Sequence, residues 1–422
     1  MKKVTALNLK YGCENISFTL PANIPREILR SKALAGLKDP EDAVLKALRS
    51  PMGAAPLREI IRAGKTVCII VNDSTRVARS EIFLPVLIEE LLQAGVREED
   101  IFIIFASGTH RTLDQKEMAM LVGEEIAARI RLYNHDCRNE KELACLGHTS
   151  FGTPVYINKM VAEADLRILT GSVIHHFFAG FGGGRKALVP GVAGWETIRR
   201  NHSLLLDERA STGRLEGNPV HEDLLEAALL AGGSFLLNTV LNEDLAIVKV
   251  FAGDMVEAHL AACRAVEEMN GILIKKTAEV VIASCGGYPK DINLYQAHKA
   301  LDNAMAALKA GGKVIFIAEC REGIGSEVYE EWVYKYTDLS TMEEILRNDF
   351  ILGGHKAYTV AKLLRKGRVY LLSGFEAGQA SRLGFIPVES MAEALEEAYD
   401  KEQNLFTYIM PQASTAVPRL VV

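Results

Sequence analysis

Nowhere does the chain hold an apolar run approaching the roughly 20 residues that span a bilayer, so no transmembrane helix is expected. It does not open on a secretion signal either. Met1-Lys2-Lys3-Val4-Thr5-Ala6-Leu7-Asn8-Leu9-Lys10 has no apolar core and reads as a strand, which predicts a cytoplasmic protein without a membrane partner. Cysteine is sparse: the thiols at 13, 68, 137, 145, 263, 285 and 320 are odd in number and never form a CxxC pair. Neither a disulfide framework nor a zinc ribbon is supported. Cys68 and Cys285 lie in apolar stretches and read as buried thiols. Basic residues are not in excess, with 48 Lys and Arg against 54 Asp and Glu. A net charge of −6 attracts no polyanion, so nucleic acid is not an expected partner. Internal repeats and low-complexity segments are missing as well.

What remains is an ordinary globular composition, 49% hydrophobic and 24% charged over 422 residues, long enough for two domains. Short apolar strands alternate with amphipathic helices. Val67–Val71, Ile101–Phe105 and Leu166–Leu169 read as strands, and residues 82–94 as a helix. This order predicts parallel, doubly wound sheets. Residues 234–251 read as a hairpin turning near Asn242-Glu243-Asp244, followed by a helix at 254–269. The pattern restarts near Gly271: a strand at 280–284, a helix at 302–309, a turn at Gly311-Gly312 and a strand at 314–318. We therefore expect an α/β protein of two domains, each a largely parallel sheet flanked by helices, with the active site in the cleft between them. The predicted domains are 1–270 and 271–402, with the apolar tail 403–422 docking back on the first.

Polar clusters follow the predicted strands, at the sheet edge where ligands bind in open α/β folds. The most unusual is His175-His176-Phe177-Phe178-Ala179-Gly180-Phe181-Gly182-Gly183-Gly184-Arg185-Lys186. Bare glycine backbone lets an anion approach main-chain N–H groups. Arg185 and Ala187 flank Lys186 where a Walker loop needs Gly and Ser or Thr, and Arg185 occupies the sixth position of a dinucleotide fingerprint counted from Gly180, so both familiar phosphate loops fail. A flexible turn is the plainer alternative. Histidine is scarce, ten in all, yet His110, His176 and His202 fall in or near these loops. Neutral imidazole can exchange a proton near neutral pH or bind nickel, zinc or copper. His135, His221 and His259 read as surface or capping residues. Asp73 and Arg76 could form a local ion pair or cap a helix; alternatively Arg76 grips a carboxylate or phosphate. In the second domain Tyr295, His298 and Lys299 share a helical face, and Lys299 would be a second anion grip if that face lines the cleft.

Together these residues closely resemble the nickel-pincer lactate racemase family. The resemblance rests on Asp73-Ser74-Thr75-Arg76, Gly108-Thr109-His110-Arg111, His176 with Ala179-Gly180-Phe181, Gly183-Gly184 and Lys186, then Pro190-Gly191, Asn201-His202, and Tyr295-Gln296 with Lys299. The steps of ten residues from His176 to Lys186 and sixteen from Lys186 to His202 match the family. It implies an isomerase that inverts C2 of a small 2-hydroxy acid by proton-coupled hydride transfer. The implied cofactor is a nickel-pincer nucleotide, a pyridinium thioamide/thiocarboxylate mononucleotide made by dedicated biosynthetic enzymes and tethered to Lys186. His202 would ligate nickel, and His110 and His176 would serve as acid and base on opposite substrate faces. Arg76 and Lys299 would hold the substrate carboxylate, with Tyr295 and Gln296 lining the site. Asp73, Thr75, Gly182, Gly183 and Gly184 would contact the cofactor or orient its neighbours. Two features depart from the lactate-specific pattern: His175 precedes His176, and no tryptophan occurs in Gly353-Gly354-His355-Lys356-Ala357-Tyr358. Both leave room for a larger or more polar acid. Two other readings compete. A zinc hydrolase built on His110, His176 and His202 would need zinc alone. A non-catalytic nucleotide or carboxylate binder would have no use for paired histidines.

Overall fold

The computed structural model describes residues 6–232, 234–400, 402 and 404–421. The chain divides into two compact units, one of Ala33–Glu268, the other of the chain up to Lys32 together with Met269 onward. The division at 268/269 lies two residues from the sequence boundary at 270/271. The two chain ends differ from expectation. Arg26–Ile28 pairs with Thr407–Met410, which pairs with Ala278–Ser284. Val417–Leu420 pairs with Gly271–Ile274. Both the N-terminal 32 residues and the tail therefore belong to the second unit. Composition could not show this, because strand partners far apart in sequence are chosen by hydrogen-bond register and burial. Met1–Thr5 of the predicted first strand and Val422 of the tail lie outside the described residues; Ala6–Tyr11 is a strand, paired antiparallel with Glu14–Thr19.

In the unit of Ala33–Glu268 a six-stranded sheet runs Ile247–Gly253, Ser234–Leu241, Leu166–Ser172, Val67–Asn72, Ile101–Ala106, Arg131–Asn134. All neighbours are parallel except the hairpin edge. Side chains alternate between faces. Val67, Ile69 and Val71 enter one core with Phe83, Leu84 and Leu87 of the helix Ser80–Gln93. Cys68 and Ile70 enter the other, with Ile198 of the helix Trp195–Ser203 and Leu224 of the helix Pro219–Ala231. Both faces are covered, so the strands are apolar throughout, as parallel sheets require. Each fully buried Ile or Leu contributes about 1.5–3 kcal/mol. The hairpin turns where predicted. Asn242 Oδ1 accepts the N–H groups of Asp244 and Ala246 at 3.1 and 2.9 Å, while Leu245 takes φ 59°.

The second unit carries a fully parallel sheet, Ile386–Pro387, Arg368–Leu372, Leu308–Ile317, Ala278–Ser284, Thr407–Met410, Arg26–Ile28. The predicted turn at Gly311-Gly312 lies inside the strand Leu308–Ile317. The register breaks there, with Ala278 opposite Leu308 and Val280 opposite Lys313, so extra residues are accommodated at the predicted turn, with Gly311 at φ 74°. The helix expected at 302–309 begins earlier, spanning Leu294–Ala307, with Asn293 Oδ1 accepting the Gln296 N–H at its start. Cys68 and Cys285 are fully buried. Among the described residues no helix is long and apolar enough to cross a membrane.

Candidate active site

Three polar segments leave the C-terminal ends of three neighbouring strands. Asp73 follows Val67–Asn72, His110 follows Ile101–Ala106, and His175-His176 follow Leu166–Ser172.

Asp73 is buried and receives the His110 ring: His110 Nδ1 lies 2.5 Å from Asp73 Oδ2. Thr75 Oγ1 donates to Asp73 Oδ1 at 2.7 Å, and the Thr75 N–H donates to the same oxygen at 3.1 Å. Burial pushes the Asp73 carboxyl up. Its bonds from His110 and Thr75, and the charges of His110 and Arg76, outweigh burial and hold it below the usual carboxylate range. An ionised Asp73 can only accept, so His110 Nδ1 carries a proton, and in the neutral ring the lone pair is then on Nε2. Arg76 does not pair with this carboxylate. Its guanidinium donates to the Thr75 carbonyl at 3.2 Å, and the side chain is exposed.

His176 is set differently. Its Nδ1 accepts the Ala179 N–H at 3.3 Å, and its Nε2 lies 3.1 Å from Lys186 Nζ. Burial first, then the charges of Arg185 and Arg76, lower the Lys186 amine well below its ordinary value. With Nδ1 already accepting, the proton of a neutral His176 ring sits on Nε2, facing the Lys186 amine. The ring of Phe178 gathers the cluster: His176 at 4.6 Å, His202 at 5.1 Å, and Lys186 Nζ at 5.6 Å from its centre. His202, near the end of the helix Trp195–Ser203, lies with Nδ1 3.1 Å from Asn201 Oδ1. Burial, then Lys186, pushes it down to about 3, so the imidazole is neutral at any working pH. Neutral imidazole with Nδ1 occupied presents Nε2 to a metal. Among the described residues no three His, Cys, Asp or Glu side chains gather as a metal site. His110, His176 and His202 thus do not form the three-ligand set of the zinc reading.

The glycine loop is less bare than its sequence suggests. Gly182 N–H donates to the Ile174 carbonyl at 2.8 Å, and Gly184 N–H to Asn238 Oδ1 at 2.8 Å. Close packing explains the glycines: a Cβ on Gly183 would sit 2.7 Å from Val173 and Asn238, and one on Gly184 2.5 Å from the His259 ring. Gly184→Ala, at φ 58° and against that ring, lowers stability by about 1–3 kcal/mol. Gly182→Ala, with only an ordinary contact to Ile174 at 3.5 Å, changes it by less than about 1 kcal/mol. Urea unfolding of both variants checks the contrast.

The surface assignment of His135, His221 and His259 is corrected: all three are buried. His135 contacts the Ala193 carbonyl and His259 the Gly182 carbonyl, each at 2.9 Å. The helix expected at 254–269 contains His259 without showing that it faces inward, and no element is expected around His221, which lies on the helix Pro219–Ala231. His175 Nε2 meets Glu267 Oε2 at 2.7 Å. In the second unit, Lys299 Nζ donates to Gln296 Oε1 at 3.3 Å, with Tyr295 half-buried beside them. His298 is fully buried, gives Nδ1–H to the Tyr295 carbonyl at 2.9 Å, and meets Lys356 Nζ at 2.8 Å through Nε2. Lys356, in the segment without tryptophan, lies 4.7 Å from the Tyr295 ring centre.

Two imidazoles held at Nδ1 in opposite senses near parallel-strand ends, one of them beside a buried lysine, form a site able to exchange protons. The family comparison narrows the class. Residues 11–213 match the lactate racemase N-terminal domain and residues 273–414 the lactate racemase C-terminal domain. The chain belongs to the lactate racemase family and is an isomerase of that type. It is 35% identical over 402 residues to a lactate racemase of Thermoanaerobacterium thermosaccharolyticum, covering 93% of this chain and 94% of that one. A lactate racemase of Lactiplantibacillus plantarum is 33% identical over 372 residues, covering 86% and 87%. The lactate racemase apoprotein structure from T. thermosaccharolyticum superposes with a TM-score of 0.91 at 33% identity, over 98% of this chain and 100% of that one. A Thermotoga maritima protein structure shares the fold alone, with a TM-score of 0.66 at 19% identity.

Proposed function

We propose that the chain inverts C2 of a 2-hydroxy acid with a nickel-pincer nucleotide cofactor, lactate being the first substrate to try because both relatives are lactate racemases. Two features support such a cofactor. Burial favours the uncharged Lys186 amine, the form that can be acylated, and the neutral imidazole of His202 suits nickel. Gly182, Gly183 and Gly184 precede Lys186 in the same loop. When bound, the group would supply a hydride acceptor, so that C2 becomes planar and can be reduced from either face.

The remaining chemistry falls to the chain. His110 Nε2 takes the hydroxyl proton on one face, and Asp73 stabilises the imidazolium that forms. His176 serves the opposite face. In the free protein its Nε2 is engaged by the Lys186 amine; amide-type substitution at Lys186 removes that basic lone pair and releases the ring. Arg76 grips the substrate carboxylate with its exposed guanidinium. Lys299, with Tyr295 and Gln296, is proposed as the second grip. The absence of tryptophan from 353–358 leaves larger or more polar 2-hydroxy acids as the next substrates to screen. We further propose a cytoplasmic protein, served by cofactor-making enzymes.

The observation that carries this reading is the pair of histidines held at Nδ1 in opposite senses. Its test is peptide mass, metal analysis and a chiral assay on protein produced with the cofactor-making enzymes. A nucleotide-sized addition on the Lys186 peptide, about one nickel per chain and interconversion of lactate enantiomers are expected. An unmodified chain without nickel would overturn the cofactor assignment.

A further inference from the structure

Arg185 is 1% exposed, and among the described residues no carboxylate pairs with it. Burial alone drops its guanidinium to about 10, so it stays charged. Such a cation is retained only where hydrogen bonds replace water. Here they come from the loop itself: one guanidinium nitrogen donates to the Ala179 carbonyl at 2.8 Å, another to the Phe181 carbonyl at 3.1 Å. His259 lies against the same guanidinium and donates Nε2–H to the Gly182 carbonyl at 2.9 Å. Three carbonyls of the glycine loop, those of Ala179, Phe181 and Gly182, are thus held by Arg185 and His259.

The contacts close into a ring. Arg185 fixes Ala179 through its carbonyl. The Ala179 N–H fixes His176 Nδ1 as an acceptor. That leaves the proton of neutral His176 on Nε2, facing Lys186 Nζ. Lys186 follows Arg185 in the chain.

We propose that Arg185 is a positioning residue, clamping the Ala179 peptide so that His176 is held in its Nε2–H tautomer against Lys186. The proposal deepens the racemase reading, since it rests on His176 and Lys186 as working groups. It acts without touching substrate, through two planar donors that only a guanidinium supplies at this spacing.

The test is nitrogen NMR of the His176 ring in protein without cofactor, at a pH where the ring is neutral. Wild type is expected to show Nε2–H alone. Arg185→Met, and Arg185→Lys, which keeps the charge but cannot fork to two carbonyls, are expected to show a mixture of tautomers. After maturation both should lose at least about tenfold in kcat. A wild-type ring protonated on Nδ1 would overturn the proposal whatever the variants do. So would a folded Arg185→Lys protein with the wild-type tautomer. If Arg185→Met does not fold, Arg185→Lys decides. Failure of matured wild type to racemise any 2-hydroxy acid would sink the proposed function and leave the tautomer result standing.

Discussion

Exchanging His110 for glutamine lowers kcat by about 10²- to 10⁴-fold while nickel and the Lys186 adduct are retained. Glutamine has similar reach but cannot take a proton at neutral pH. Asp73→Asn acts through the same ring. The carboxylate, held ionised by His110, Thr75 and Arg76, forces Nδ1–H and so leaves Nε2 basic. An amide can equally donate to Nδ1, which puts the proton on the wrong nitrogen. Asp73→Asn should therefore cost a large part of what His110→Gln costs. The double variant should lose little more than the His110 variant, because the two act as one unit. For a racemised substrate the enantiomers have equal free energy, so kcat/KM is the same in both directions at every pH. The unlike settings of His110 and His176 can appear only in the separate kcat and KM values. Initial rates from both enantiomers test this, and a loss below tenfold at full cofactor occupancy would remove His110 from the proton-transfer role.

The second large effect is acid instability well above the carboxylate range. Burial lowers His135; burial and then the Arg185 charge lower His259 and bring His221 down to about 3. Unfolded, each titrates near pH 6.5. Their folded values lie below their unfolded ones, so the stability they contribute is complete above about pH 6.5 and is lost as pH falls toward the folded values. Below about pH 6 the unfolded state binds the extra protons, and each histidine that stays neutral in the folded state contributes about 1.4 kcal/mol per pH unit. Urea unfolding between pH 7.5 and 5 should show this slope. His259→Gln, which keeps a donor for the Gly182 carbonyl, should make the slope shallower. An unchanged slope would mean that His259 titrates alike in both states.

Much of this was legible in the chain. Val67–Val71, Ile101–Phe105 and Leu166–Leu169 are unbroken apolar runs, and a strand buried on both faces can be written in few other ways. Polar residues placed immediately after such runs fall on the ligand-binding edge of a parallel sheet. The motif order from Asp73 through His202 carried the family. Less legible were the partners. The Asp73–His110 pair joins two loops 37 residues apart, and no local pattern encodes it. His221 and His259 sit at ordinary helical positions; which way those positions face depends on what packs against them. The glycines after Phe181 suggested an open anion cradle, but Val173, Asn238 and His259 close over them.

The sequence by itself determined the parallel α/β class, the strand ends that carry chemistry and the kinds of group placed there, because periodicity and residue chemistry are local properties. Tertiary structure alone decided that Asp73 takes His110, that Lys186 takes His176, that Arg185 lies buried under its own loop, and that both chain ends belong to one unit. Each of those follows from contacts between distant segments, where burial changes protonation and where hydrogen-bond register, not composition, chooses the partner.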